Sequence, residues 1–324
     1  MSKLCMLVGL PGSGKSTYAK NMEKKGYVIH SSDALRKELF GDEEFQEENE
    51  KIFEELKRRI KTDLKEGKNV VFDACNISRK RRVAFLNEVK KICEKECIIL
   101  ATPYYKCLEL AEKRERKVPG YVIEKMYKNW NTPYWFEGWD NIKIEYLPGF
   151  VAIETPEKWA GYVRRYNQHN PWHKETLGEH LTRSSEYIKT RSQDDLLYVS
   201  SLIHDCGKPA TCAFKNSKGE PSDIAHFYGH ENTGAYDSLF FNYINYRNIE
   251  PLDISIRVNL HMLPHKWEKE TKEQRIKLEN KYRKTWGDKL FEDMLLLKEA
   301  DDYARVPDKE YFDSLLKENE PELE

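Results

Sequence analysis

Apolar residues in the first half of the chain come in short runs separated by segments of helical period. Leu4–Val8 (LCMLV) is one run, Tyr27–Ile29 a second, Asn69–Asp73 (NVVFD) a third and Ile98–Ala101 a fourth. Short apolar runs bounded by glycine or polar clusters read as buried strands. Between them Ile52, Leu56, Ile60 and Leu64 recur every four positions, which predicts an amphipathic helix. Another helix is expected from about Lys15. Strands alternating with helices imply βαβ units around a parallel sheet, ending near Ile144.

The pattern changes after LPGF (147–150) and Thr155-Pro156, where Pro and Gly interrupt the chain. Beyond this seam the strand signal fades. Leu181–Ile188, Leu196–Ile203, Ile254–Leu260 and Leu290–Ala304 all read as helices. The expectation is an α/β domain over 1–150 followed by an all-α domain over 151–324, with a loose acidic tail (KENEPELE).

Composition agrees with two folded domains. Of 324 residues, 39% are hydrophobic and 34% charged, enough for cores under a highly charged surface. No apolar run reaches the roughly 18 residues of a membrane span, so no membrane association is expected. The start, MSKLCMLVGLPG, runs into a glycine loop without a basic leader or a small-residue cleavage site, and is read as a strand rather than a signal peptide. Seven cysteines without a CxxC pair suit free thiols in a cytoplasmic protein. Cys93 and Cys97 could share a helix face, although metal binding there is disfavoured.

Charge and histidine divide the halves further. Residues 1–150 carry 29 Lys+Arg against 24 Asp+Glu, and the remainder 25 against 31. The excess of +5 is a weak polyanion signal. His30 is the only histidine of the first half, and the other eight lie between His169 and His265. Such clustering of a common metal ligand suggests a second chemistry.

Gly9-Leu-Pro-Gly12-Ser13-Gly14-Lys15-Ser16 fits GxxxxGK[ST] with a strand before and a helix after. Backbone N–H groups of Gly9, Gly12, Ser13 and Gly14 can wrap phosphates. Lys15 can reach the β/γ oxygens of ATP, and Ser16, next to Thr17, can hold Mg²⁺. Asp33, expected to end the second strand in HSSDALRKELFG, is the candidate general base, with helix capping as its plainer role. Arg36, one turn on, could hold an acceptor phosphate. Asp73 closes the third strand, where a carboxylate suits Mg²⁺ or the acceptor. The basic run SRKRR (78–82) is equally well a solvated helix start. Arg114 and Arg116 are candidate lid residues on the transferring phosphoryl group. Trp130, Tyr134, Trp135 and Trp139 could stack a base, but core packing is the favoured reading.

Together GLPGSGKST, SSDALRKELFG, VVFDACNISRKRR and RERKVPGYVIEKMY resemble the P-loop polynucleotide-kinase family, over roughly residues 1–145. The resemblance implies transfer of the ATP γ-phosphate to a 5′-hydroxyl of RNA or DNA. It makes Asp33 the acceptor base, Arg36 a grip on the nucleic acid, and Arg114 and Arg116 lid residues on ATP. Relatives with similar motifs phosphorylate small molecules.

In the second half SSLIHDCGKP (200–209) places His204 and Asp205 at the end of an apolar helix. His180 precedes them in HKETLGEHLTR, and His230, His261 and Asp301 follow. Leu290, Met294, Leu297 and Asp301 share one helical stripe, so Asp301 should face the core and Asp302 should not. A carboxylate on an apolar stripe is costly unless paired or ligated. The set H…HD…D resembles the HD phosphohydrolase superfamily, over about residues 165–305. NPWHKETLGEH also resembles the HD domain attached to some tRNA nucleotidyltransferases, whose transferase activity is not carried over.

The second resemblance implies His180, His204, Asp205 and Asp301 as metal ligands. His230 and His261 would complete a second metal site, and Lys208 would bind substrate phosphate. Mixed N/O ligation suits Mn, Fe, Co, Ni or Zn. His173, His226 and His265 are weaker candidates. A 5′-kinase beside a 3′-phosphatase or 2′,3′-cyclic phosphodiesterase implies healing of nucleic-acid ends, RNA (tRNA included) over DNA, with a separate RNA ligase as a partner. The alternatives are a nucleoside or other small-molecule kinase fused to a nucleotidase, and an ATP-sensing regulatory module.

Overall fold

A computed structural model describes residues 1–42, 47–113 and 117–305. The chain divides into two compact units, Met1–Val151 and Ala152–Glu324.

The first unit runs β1 (Ser2–Val8), α1 (Lys15–Glu23), β2 (Val28–Ser31), α2 (Ser32–Phe40), α3 (Asn49–Lys65), β3 (Val70–Asp73), α4 (Arg79–Val89), β4 (Cys93–Ala101), α5 (Tyr104–Glu112), α6 (Gly120–Lys128) and β5 (Asn141–Tyr146). The five strands form one parallel sheet in the order β2-β3-β1-β4-β5. A central parallel strand is covered on both faces, so its sequence is continuously apolar rather than alternating. In β1, Leu4 and Met6 pack on the Ile52, Leu56, Ile60 and Leu64 stripe of α3. Cys5 and Leu7 face the other way, onto Ala19 and Met22 of α1. Burying a side chain of this size is worth about 1.5–3 kcal/mol, and Leu35 of α2 and Phe85 and Val89 of α4 complete the layer that the α3 stripe begins.

Two expectations for this unit are corrected. Cys93 and Cys97 lie on β4, not on a helix, because β4 pairs with β1 from Ser2↔Cys93 onward. Asp33 does not end β2. It sits in the first turn of α2, whose cap is Ser31, with its hydroxyl accepting the Ala34 N–H.

The second unit is mostly helical: α7 (Pro156–Tyr162), α8 (Leu177–Arg191), α9 (Asp195–Ile203), α10 (Lys208–Thr211), then β6 (Ala213–Lys215) and β7 (Pro221–His226), then α11 (His230–Asp237), α12 (Pro251–Leu260), α13 (Met262–Trp267), α14 (Lys272–Trp286) and α15 (Asp288–Ala304). The all-α expectation is therefore corrected. β6 and β7 pair antiparallel, and the turn between them is built by Asn216, whose Oδ1 accepts N–H groups from Lys218 and Glu220, and by Gly219 at φ 84°. NSKGE is a turn signal that the short flanking strands, partly polar, disguised. Helix α8 starts four residues before Leu181, because Thr176 and Glu179 form a capping box. Among the described residues no helix is long and apolar enough to cross a membrane.

Candidate phosphate loop and candidate metal centre

The glycine loop follows central β1 at the C-terminal edge of the sheet and leads into α1, the place where ligands of open parallel sheets sit. Gly12 has φ 84°, and a Cβ there would stand 2.4 Å from Cys107 O. Gly14 caps α1 at φ 89°. The Gly9 N–H donates to Cys75 O at 3.1 Å, and Thr102 Oγ1 donates to Ser13 O at 3.3 Å, so the loop is fastened to segments following β3 and β4. Lys15 Nζ donates to Leu10 O and Gly9 O at 2.7 and 3.1 Å. Its charge is thereby aimed into the loop. Ser16 and Thr17 are exposed in the first turn of α1.

Asp73 is buried at the end of β3, in register with Ser31 of β2. Two residues beyond Ser31, Asp33 accepts from Arg36 Nη1 at 2.8 Å, and Arg36 Nη2 donates to Asn49 Oδ1 at 2.8 Å. The arginine expected to grip an acceptor is thus held beside the candidate base. Arg114 and Arg116 lie outside the described residues. Of the basic run, Arg82 is structural: it is 1% exposed and donates to Glu137 and to four backbone carbonyls. Trp130 and Tyr134 are buried and Trp139 packs on the core, while Trp135 is exposed.

In the second unit the candidate ligands converge. His180 comes from α8, His204 and Asp205 follow α9, His230 opens α11, His261 follows α12 and Asp301 lies on α15. Asp205 and Asp301 are buried and Asp302 is exposed, as the α15 stripe requires. Asp205 Oδ2 lies 3.3 Å from His204 Nε2 and 3.5 Å from His180 Nε2, while its Oδ1 lies 3.2 Å from His230 Nε2 and 3.7 Å from His261 Nε2. Asp301 Oδ1 lies 3.1 Å from His180 Nε2. The donors thus form two groups sharing Asp205, namely His180, His204, Asp205 and Asp301, and Asp205, His230 and His261.

The histidines are held for ligation. Nδ1 of His204, His230 and His261 lies 2.7 Å from Ser201 O, Phe227 O and Val258 O respectively. A proton donated there leaves each Nε2 as a lone pair facing inward. Yet His180 and His204 bring Nε2 atoms to 3.3 Å, and His230 and His261 to 3.2 Å. Facing lone pairs beside two carboxylates need a cation or extra protons. These residues therefore fit divalent metals. Burial pushes the His204 pKa down, but the Asp205 and Asp301 carboxylates outweigh it and raise it to about 10. Burial opposes ionisation of both aspartates as well. Lys208 and His204 nevertheless hold Asp205 well below the usual range, and His180, His204 and His265 do so for Asp301.

Several supporting residues had no sequence signal. Glu175 Oε1 lies 3.4 Å from His180 Nδ1 and 2.7 Å from His173 Nδ1. Gln168 accepts from Lys208 Nζ at 2.8 Å, and Lys208 Nζ stands 2.7 Å from Asp205 Oδ2. Arg305 Nη2 and His265 Nε2 both lie 2.8 Å from Asp301 Oδ2. His226 stays on β7, away from the ligand set. Only the Gly207 signal, in HDCGKP, was available. A Cβ there would stand 2.1 Å from His230 O, so glycine lets α11 approach.

Residues 4–133 match the family model of the AAA domain. The first unit is an α/β fold whose parallel sheet carries a phosphate loop between β1 and α1. Over 163 residues the chain is 30% identical to L-seryl-tRNA(Sec) kinase of Methanococcus maripaludis, covering 48% of this chain and 60% of that protein. The chain thus spans less than two thirds of this curated relative. Among solved structures it is similar to a chain of the Pnkp1/Rnl/Hen1 RNA repair complex, with 26% identity, a TM-score of 0.37 and coverage of 40% and 43% of the two chains. It is also similar to a gluconokinase from Sinorhizobium meliloti, with 16% identity, a TM-score of 0.34 and coverage of 45% and 83%.

Proposed function

We propose that the chain is a bifunctional nucleic-acid end-healing enzyme: an ATP-dependent 5′-OH polynucleotide kinase joined to an HD-type, metal-dependent phosphohydrolase of 3′-phosphate or 2′,3′-cyclic phosphate ends. The observation that carries this reading is the sharing of Asp205 between two histidine groups, in a chain that also holds a complete phosphate loop beside Asp73 and Asp33. A sensing module needs neither a candidate base nor a second centre. The likeness to a kinase of seryl-tRNA favours an acceptor carried on RNA.

In the first unit Lys15 and the loop N–H groups other than those of Gly9 and Ser13, which donate to Cys75 O and Leu10 O, hold the β/γ-phosphates. Asp33 takes the proton from the acceptor hydroxyl. The acceptor oxygen bonds to the γ-phosphorus as the bond to the β,γ-bridging oxygen breaks and ADP leaves. Ser16 and Asp73 would hold Mg²⁺, which supplies charge neutralisation when bound. Arg114 and Arg116 would close on the transferring group.

In the second unit His180, His204, Asp205 and Asp301 would hold one metal, and Asp205, His230 and His261 another. Bound there, divalent metals such as Mn, Ni, Co, Fe or Zn supply Lewis acidity and lower the pKa of water. Lys208 orients the substrate phosphate, and Gln168 orients Lys208. Burial of the ligands keeps bulk water from competing for the carboxylates. RNA is the expected substrate of both halves, and a separate RNA ligase would consume ends so prepared. A cytoplasmic location is part of the same proposal.

The test is incubation with γ-labelled ATP, Mg²⁺ and a 5′-OH oligoribonucleotide, beside Lys15→Ala and Asp33→Ala, followed by a 3′-end assay with Mn²⁺. Label on RNA that both variants lose supports the reading. Label on a nucleoside in preference to any oligomer would move it to small-molecule metabolism.

A further inference from the structure

We propose that the β6–β7 hairpin, the Phe227-Tyr228 pair that follows it and the segment 169–172 form a nucleobase-stacking rim on the Lys208 side of the metal centre. The phosphate hydrolysed there would then be one carried by a nucleotide with an unstacked base. This inference rests on the phosphohydrolase reading and names its substrate class.

Three large aromatics stand in solvent on these segments: Trp172 at 55%, Tyr228 at 53% and Phe214 at 48% exposure. They are not scattered. Tyr228 stacks on His226, with centroids 5.3 Å apart and planes 6° from parallel, and Phe214 lies 5.9 Å from the His169 ring. The hairpin and the segment are joined by two hydrogen bonds: the Ala225 N–H donates to His169 O at 2.9 Å, and Asn170 Nδ2 donates to Ala225 O at 3.0 Å. The aromatic positions therefore belong to one supported surface.

That surface is continuous with the centre. Gln168, next to His169, accepts from Lys208. Phe227, between His226 and Tyr228, lies under Lys208 Nζ at 5.5 Å and offers its carbonyl to His230 Nδ1. Just beyond Trp172, His173 meets the Glu175 carboxylate that faces His180. A phosphate held at Lys208 would leave its attached nucleoside beside these rings. Aromatic faces stack any base without reading its edge, so the rim accepts an unpaired base of any identity and gives no added affinity to a phosphate without one. Among the described residues the hairpin is the second unit's one two-stranded sheet, and it carries Phe214 and His226 to this place.

The experiment uses the full chain with Mn²⁺ and two 3′-phosphorylated hexaribonucleotides, one ordinary and one abasic at its 3′ end. A 3′-mononucleotide is run beside them. Trp172→Ala and Tyr228→Ala are expected to raise KM for the ordinary hexamer and the mononucleotide roughly tenfold, the size of a lost base stack. They should leave kcat within about twofold and the abasic hexamer unchanged. A second readout needs no metal: the hexamer should quench tryptophan fluorescence of the chelator-treated chain, and Trp172→Phe should lose that quenching. Equal KM values in the variants and unchanged quenching in Trp172→Phe would overturn the rim. Quenching through Trp172 without hydrolysis of any phosphate end would keep the rim and overturn the phosphohydrolase reading. Neither quenching nor hydrolysis would overturn both.

Discussion

Arg82 and Glu137 meet through two hydrogen bonds of 2.9 and 2.8 Å, both side chains closed to solvent. The same guanidinium also reaches the carbonyls of Asn76, Ile77, Asn131 and Thr132. It therefore clamps the segment after β3, which fastens the phosphate loop, to the segment before β5. Removing one partner of a buried pair strands the other and costs about 3–5 kcal/mol. Glu137→Gln is expected to lower the first unit's melting transition by roughly 6–20 °C, at 2–4 °C per kcal/mol for a unit of this size. Differential scanning calorimetry checks this, and an unmoved transition would show that the pair contributes nothing.

Lys15→Ala and Asp33→Asn should each cut the kinase rate roughly 10²–10⁴-fold, the range for a lost charge clamp or general base. Asp33→Asn should act on kcat more than on the KM for ATP. Phosphohydrolase rates of the same preparations should not change. Parallel loss of both activities would point to misfolding instead.

Asp205 serves both histidine groups, and Asp301 only one. Asp205→Ala should therefore abolish tight binding at both metal sites, while Asp301→Ala should leave one weakened set. Metal content after dialysis, measured by elemental analysis, distinguishes the two. Equal stoichiometry in the two variants would refute the shared role.

Metal uptake should be strongly pH-dependent. The His204 pKa of about 10 lies above the ordinary histidine value near 6.5, burial being outweighed by Asp205 and Asp301. A raised pKa contributes stability that is full below about 6.5 and is lost as pH rises toward 10. The chelator-treated second unit should therefore melt lower at pH 9 than at pH 7. Binding a metal needs neutral His204, so affinity should rise up to about tenfold per pH unit across that window. Calorimetry in two buffers should register a released proton, and a pH-independent affinity would contradict this.

Gly207→Ala places a Cβ 2.1 Å from His230 O and 2.6 Å from Gly234 N. Backbone must move, and His230 moves with it. The expected result is loss of the second metal with a folded first unit, read by metal content and residual kinase activity.

Much of the first unit could be read in advance because its information is local. A continuous apolar run, a glycine loop and a four-residue stripe each name one element and its environment, so β1, the loop and α3 follow from Leu4–Val8, Gly9–Ser16 and Ile52–Leu64. Of the ligand set, His204-Asp205 and the α15 stripe ending at Asp301 were equally local. Pairing decided what local pattern could not. Cys93 and Cys97 have helical spacing yet sit on a strand because β1 offers them a partner, and the β6–β7 hairpin has too few apolar residues to show itself. The tertiary structure alone brought Asp205 between two histidine pairs and set Gln168 behind Lys208. The contacts of Asp205 with His180, His230 and His261, and of Gln168 with Lys208, join residues tens of positions apart. Their energy comes from the pairing of opposite charges that offsets the cost of burying them, a pairing that no single stretch of sequence contains.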